Sequence, residues 1–149
     1  MDDAGVTAAL VIRRARVDER AACAALYARV LRETFTWMDP ASHRPSDFLA
    51  QARDEEVVVA VEGGAIVGLA AYYRPSEFLH SLYVERRGRG IGKALLDHVC
   101  AHAGGPVSLK VQRPNLRAQA FYRREGFAVA GEGADEPGRP PWLLMRKGV

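Results

Sequence analysis

Apolar positions change period several times along the chain, and each change marks an element. VIRRAR (11–16) alternates weakly and predicts a first strand. Asp18 stands where a helix cap is wanted, and Ala22, Leu26, Val30 and Leu31 follow at helical spacing. The stretch 34–47 breaks this regularity with two prolines yet carries Phe35, Trp37 and Met38, a heavy apolar load for a connection. Ser46 is positioned to cap a second, short helix, DFLAQARD. From 56 the texture becomes strand-like: EVVVAVE, a Gly63-Gly64 turn and AIVGLAAYY predict a hairpin placed centrally in a sheet. Pro75 marks a turn before EFLHSLYV (77–84), a further strand rich in bulky residues. A helix over 91–103 buries Ile91, Ala94, Leu95 and Val99 and is stopped by Gly104-Gly105. PVSLKVQ (106–112) is another strand, and Asn115 caps a helix through Glu125 that ends at a left-handed Gly126. FAVAG (127–131) and WLLMRK (142–147) form a closing pair around an acidic loop. The order β-α-α-β-β-β-α-β-α-β-β predicts a mixed α/β (α+β) sheet covered by helices, with 1–149 as one domain and no repeat or linker.

Composition narrows the class. Hydrophobic residues make up 48% and charged residues 26% of 149, as in ordinary globular proteins. No apolar run approaches the roughly 20 residues of a bilayer span, which predicts no membrane partner. The amino terminus, MDDAGVTAAL, is acidic where a secretory signal starts basic. Cys23 and Cys100 lie in helical patterns without metal-type spacing, which predicts buried thiols, no metal site, and a reducing, cytoplasmic compartment. The net charge is only +3. Its surplus is local, at Arg86, Arg87 and Arg89 and at Arg113, Arg117, Arg123 and Arg124, which favours a small anionic ligand over a long polyanion.

RRGRGIGKALL (86–96) carries the first chemical signal. It is not a P-loop, because Arg87 stands where that motif needs its first glycine and Ala94 where it needs a hydroxyl. The spacing Gly88-x-Gly90-x-Gly92 also departs from a dinucleotide fingerprint. What remains is a loop between a strand and a helix N-terminus. Such a loop gathers unpaired N–H groups at the positive end of a helix dipole and forms an anion site. Glycines let the backbone approach a diphosphate, and neighbouring arginines add charge-assisted bonds. A tight turn with solvated arginines is the alternative.

NLRAQAFYRREGF (115–127) decides between them. Together with LHSLYV and Arg87-Gly88-Arg89-Gly90-Ile91-Gly92, it resembles the GNAT superfamily of acyl-CoA-dependent N-acetyltransferases. The family's strand–[Q/R]-x-x-G-x-[G/A]–helix motif matches at 87–92, and its N-x-x-A-x-x-F-Y-x-x-x-G-F pattern matches at Asn115, Ala118, Phe121, Tyr122, Gly126 and Phe127. The resemblance covers roughly 56–147. FLHSLYV and the upstream tryptophan segment also look like an uncharacterised branch that carries F-I-H-H-L-Y-V there. Only Glu85 and Arg86 separate the strand from Arg87, about two residues fewer than in many members, so the loop turns more tightly.

The resemblance implies a mostly antiparallel sheet of about seven strands with about four helices, in which the fourth and fifth strands splay apart. It also implies acetyl-CoA as acyl donor and a small-molecule or peptide amine as acceptor. The pantetheine arm would pair with the backbone of Leu82, Tyr83 and Val84. The pyrophosphate would rest on the N–H groups of Arg87, Gly88, Arg89, Gly90, Ile91 and Gly92, beside Lys93. Asn115 would cap its helix and contact the pantetheine. Tyr122 is the candidate general acid for the departing thiolate, and His80 the preferred general base ahead of Glu77, because an imidazole titrates near neutrality. Phe35 and Trp37, with His80, would line the acceptor side. Tyr72, Tyr73 and Trp142 are read as sheet packing, and Glu132, Asp135 and Glu136 as a solvated hairpin tip. Dimers are common in the family, so a homodimer is one implied assembly. Two other functions compete: an acyl-CoA-binding regulatory domain without turnover, and, less favoured, a nucleic-acid-binding module. For the latter, Phe121-Tyr122-Arg123-Arg124 is the one hint, and helical geometry scatters those residues.

Overall fold

A computed structural model describes residues 9–36, 38, 39, 44–85, 88–135, 137, 138 and 140–148. In chain order its elements are β1 (Leu10–Arg14), α1 (Arg20–Thr34), α2 (Pro45–Gln51), β2 (Glu56–Glu62), β3 (Ala65–Tyr73), β4 (Phe78–Val84), α3 (Ile91–His102), β5 (Ser108–Gln112), α4 (Leu116–Arg124), β6 (Phe127–Gly133) and β7 (Trp142–Lys147). The strands form one seven-stranded sheet in the order β1-β2-β3-β4-β5-β7-β6. Every neighbouring pair is antiparallel except β4 and β5, whose parallel alignment requires the crossover through α3.

Both faces of the sheet are covered, which explains why β2 is apolar at successive positions instead of alternating. Val57 and Val59 join Leu69 of β3 against Leu26 of α1 and Phe48 of α2. Val58 and Ala60 face the other way, into the core made with Leu95, Leu96 and Val99 of α3, Leu109 of β5, Tyr122 of α4 and Met145 of β7. Fully burying side chains such as Phe48, Leu69 and Leu95 contributes about 1.5–3 kcal/mol each. Helix α3 settles closely on β3 at Gly68, where a Cβ would lie 3.0 Å from Leu95 Cδ1 and 3.1 Å from Ile91 Cγ2.

A register shift in the β3–β4 ladder positions the site. Ala71 lies opposite Ser81 and Tyr72 opposite Leu79, so His80 is an extra residue with no opposite number. Such a bulge reverses the facing of everything beyond it. Leu79 and Leu82, three apart, therefore pack into the same α3–α4 core, while Tyr83 packs on the α1–α2 side.

Several local expectations change. Asp18 does not cap α1: it lies in a 3-10 turn, Val17–Glu19, and the Glu19 carboxylate takes the Arg16 N–H at 2.8 Å. Helix α2 starts one residue before Ser46, at Pro45, which suits a first helical position, and the Asp47 carboxylate accepts the Arg44 N–H at 3.3 Å. Helix α3 ends in extended Ala103 (φ −74°, ψ 149°), with no left-handed glycine, because the chain leaves directly toward β5. Gly126 does take a left-handed φ of 95° after α4. Strand β5 starts at Ser108, two residues inside the range 106–112. Cys23 is buried and Cys100 half-buried; both are free thiols. No helix among the described residues is long and apolar enough to cross a membrane.

One ion pair carries a pH signature. The Arg13 guanidinium, 2.8 Å away, and then the Arg16 N–H hold the Glu19 carboxyl at about 2, below its ordinary 4.5. A depressed carboxyl stabilises the fold above its unfolded value and loses that contribution as pH falls toward its folded value. The urea midpoint of the parent is therefore expected to fall more steeply between pH 4.5 and 2 than that of Glu19→Gln. Equal slopes would remove the pair from the acid response.

Candidate active site

The β4–β5 ladder consists of Phe78↔Ser108 and Leu79↔Leu109 and goes no further. Beyond Leu79 the two strands part, which leaves the β5-facing edge of β4 from His80 to Val84 without a strand partner. Two clefts open into this gap. One, of about 590 Å³, is lined by Leu82, Tyr83 and Val84 of β4, by Gly88, Gly90, Ile91, Gly92 and Lys93, and by one face of α4. The other, of about 830 Å³, is lined by His80, Gln51, Gln112, Trp142 and several carboxylates. They share Phe35, Leu82, Tyr83, Asn115, Ala118 and Tyr122, so the two chambers adjoin at a common wall beside the splayed strands.

The first chamber ends on the glycine loop. Gly88 and Gly90 both have left-handed backbones, φ 77° and 76°, which an L-residue adopts at a cost of about 1–2 kcal/mol. Gly90 is the residue preceding the first turn of α3, whose N–H groups have no partner within the helix. Those donors, backed by the helix dipole, favour an anion by about 0.3–1 kcal/mol on the dipole alone. The Arg89 guanidinium pairs with Glu62 of β2 at 3.3 Å, a half-exposed contact. Arg87, and Arg86 before it, lie outside the described residues. Lys93 stands at the rim between Glu125 at 2.9 Å and Asp97 at 3.3 Å, and these carboxylates push its ammonium above the ordinary value.

Helix α4 supplies the shared wall. Asn115 Oδ1 accepts the Ala118 N–H at 3.2 Å, which caps the helix and fixes where its first turn faces the gap. Two turns on, Tyr122 is buried, 8% exposed, with its ring edge-on to Phe121 and Phe127. Burial pushes its hydroxyl well above the ordinary phenol value, so it stays protonated and able to donate through the neutral range.

His80, on the wall of the second chamber, belongs to a pair that the sequence reading did not identify. Glu55, one residue before β2, has a side chain only 2% exposed, and His80 Nδ1 meets its Oε2. The other carboxylate oxygen, Oε1, is buried without a hydrogen bond among the described residues. A buried carboxylate costs several kcal/mol of desolvation unless it is paired, which makes this contact an energetic commitment. The imidazole itself is 41% exposed on the cleft side and lies edge-on to Phe78 at 4.6 Å. Beside it, Gln51 Nε2 donates to Ser81 Oγ at 3.0 Å. In the sequence Glu55 sits in the charged run RDEE and reads as a solvated turn; the one available signal is its place directly ahead of a fully apolar strand.

Other sequence candidates separate. Phe35 lines both chambers; Trp37 lies outside the described residues. Glu77, left-handed at φ 52°, precedes β4 at the end away from the glycine loop, lines neither chamber, and accepts the Gly104 N–H at 3.2 Å. Trp142 lies on the second chamber with Lys110 Nζ 4.1 Å above its ring, and its Nε1–H donates to Asp135 at 3.0 Å. Asp135 is exposed in the loop between β6 and β7, as expected of a solvated tip, and also lines the chamber, while Glu132 is paired with Arg113 and Glu136 is outside the described residues. Among the described residues no group of three His, Cys, Asp or Glu side chains is placed to hold a metal.

Comparison with known proteins agrees with this geometry. Residues 23–127 match the family model of the acetyltransferase (GNAT) family. The chain is 30% identical over 141 residues to the peptidyl-lysine N-acetyltransferase YjaB of Salmonella typhimurium, covering 89% of this chain and 94% of that one. The solution structure of apo YjaB from Escherichia coli superposes with a TM-score of 0.75 at 25% identity, over 93% of this chain and 97% of that one. The PaiA N-acetyltransferase of Thermoplasma acidophilum, in complex with coenzyme A, shares the fold at 18% identity, with a TM-score of 0.74 over 95% of this chain and 99% of that one.

Proposed function

The chain belongs to the GNAT acetyltransferase family, and from that premise we propose that it moves the acetyl group of acetyl-CoA to a primary amine by direct attack in a ternary complex. The observation that carries this reading is the wall common to both chambers, with Tyr122 buried in it. A donor in one chamber and an acceptor in the other would meet at that wall.

The residues of the first chamber fit the donor. The left-handed glycines clear the approach to the N-terminus of α3, and the free edge of β4 at Leu82, Tyr83 and Val84 offers backbone groups to an extended amide chain. Gly88, Gly90, Ile91 and Gly92 would hold the diphosphate, with Asn115 alongside the amide arm. Bound there, acetyl-CoA supplies an activated acetyl thioester. Tyr122 holds a proton for the sulfur as the C–S bond breaks. His80 takes the proton that the amine releases as the C–N bond forms. Holding both partners across one wall accounts for most of the acceleration expected, since orientation alone is worth about 7–11 kcal/mol.

The second chamber favours a cationic acceptor through Asp47 and Asp135 on its wall. A lysine side chain meets that requirement, in keeping with the relative named for peptidyl-lysine. The two free thiols suit a reducing compartment such as the cytoplasm. Pairing of Arg89 with Glu62 and of Arg113 with Glu132 counts against a polyanion surface.

A CoA-thiol release assay across an amine panel, including a lysine peptide blocked at its amino terminus, is expected to show turnover with at least one cationic primary amine. Acetyl-CoA binding without release to any amine would instead identify a regulatory domain.

A further inference from the structure

We propose that Glu55 is a positioning residue for His80: it fixes the imidazole in the tautomer that carries its proton on Nδ1, so that the Nε2 lone pair faces the acceptor chamber. The inference rests on the reading of His80 as the base.

The argument starts from burial. The Glu55 side chain is 2% exposed, and the described hydrogen bond of its carboxylate is the one with His80 Nδ1. The nearby Arg20 guanidinium is directed elsewhere: it reaches the backbone oxygens of Ala52, at 2.8 Å, and of Glu55, at 3.3 Å, and so ties down the turn that carries Glu55 without neutralising its carboxylate. An ionised carboxylate only accepts hydrogen bonds, so with Glu55 ionised the ring nitrogen facing it carries the proton. In a neutral imidazole the opposite nitrogen is then a bare acceptor. The bulge at His80 makes this arrangement available. It releases this one residue from the β3–β4 register, and the ring reaches back to Glu55 while staying 41% exposed on the cleft. Phe78, edge-on at 4.6 Å, limits rotation of the ring away from that position. Neighbouring groups do not compete for Nδ1, since Gln51 is engaged with Ser81 Oγ and Glu56 with Arg74 at 2.5 Å. The hydrogen bond made by one ring nitrogen determines which nitrogen is free, and at metal-bound histidines loss of such a carboxylate typically costs about 10–100-fold.

The test combines a spectroscopic and a kinetic readout. Imidazole nitrogen shifts of ring-labelled protein are expected to show neutral His80 protonated at Nδ1; protonation at Nε2 overturns the proposal. Glu55→Gln, which keeps the volume of the side chain, is expected to lower kcat about 10-fold or more with acetyl-CoA and the blocked lysine peptide, while KM for acetyl-CoA stays within about two-fold. In a His80→Ala background the same substitution is expected to change kcat by less than about two-fold. An equal loss in both backgrounds assigns Glu55 a purely structural role and overturns the proposal. Unchanged kcat in His80→Ala alone removes His80 as the base, yet the nitrogen shifts still report whether Glu55 fixes the ring, so the two failures are distinguishable.

Discussion

Gly90→Glu is expected to abolish acetyl-CoA binding, weakening Kd by about 100-fold or more, which is roughly 2.7 kcal/mol. Two effects add. The left-handed backbone at φ 76° penalises any Cβ by about 1–2 kcal/mol, so the loop either strains or relaxes out of shape. A carboxylate at the start of α3 then occupies the dipole and N–H donors that would otherwise receive the diphosphate, and it repels that anion. A Cβ at Gly90 meets no atom within 4 Å, so the effect is one of conformation and charge, and the protein core is not disturbed. Gly90→Asn separates the two, because asparagine tolerates the left-handed region and carries no charge. It is expected to lose no more than about ten-fold by calorimetry, within the same strain range. Affinity unchanged in Gly90→Glu would sink the assignment of this loop as the diphosphate cradle.

Tyr122→Phe is expected to lower kcat by about 10²–10⁴, the usual range for loss of a general acid, while acetyl-CoA binding changes little. Phenylalanine keeps the edge-on contacts with Phe121 and Phe127 and removes only the hydroxyl. Because burial raises the Tyr122 hydroxyl above its ordinary value of 10, the proton needed by the sulfur remains in place through the neutral range. The parent is therefore expected to show no decline of kcat between pH 7 and about 9 from loss of this proton. A kcat within two-fold of the parent in Tyr122→Phe would eliminate the acid role and leave positioning as the source of turnover.

Legibility in the sequence was uneven, for physical reasons. Helices and strands were read in the right order because their periods are local properties: β2 and β3 are apolar at successive positions, and α4 opens on Asn115 and closes on Gly126. Ends were read less well. Asp18 and Ser46 have the chemistry of caps, but Glu19 and Asp47 reach back to the preceding backbone N–H groups and do that work instead. Glu77 was a candidate base for its place just before the fourth strand. That place is the end of β4 away from the glycine loop, where its carboxylate accepts the Gly104 N–H. Arg89 was read as ligand-facing or as a rim charge by its nearness to the glycines, and its pairing with Glu62, 27 residues earlier, had no sign in that stretch.

What the sequence by itself determined is what depends on near neighbours. Two left-handed glycines before a helix, a capped α4 carrying Tyr122, and strands apolar on both faces are set by residues within a turn or two of one another. Only the tertiary structure decided the wall common to the two chambers and the partner of His80. The splay of β4 from β5 is a pairing that stops, and a missing hydrogen bond leaves no mark in composition or period. Glu55 and His80 lie 25 residues apart, one just before β2 and the other in β4, where the one-residue register shift against β3 releases His80 from the ladder. That contact pairs a buried charge with a half-exposed ring, and its strength comes from the low-dielectric surroundings that only the assembled sheet and helices create.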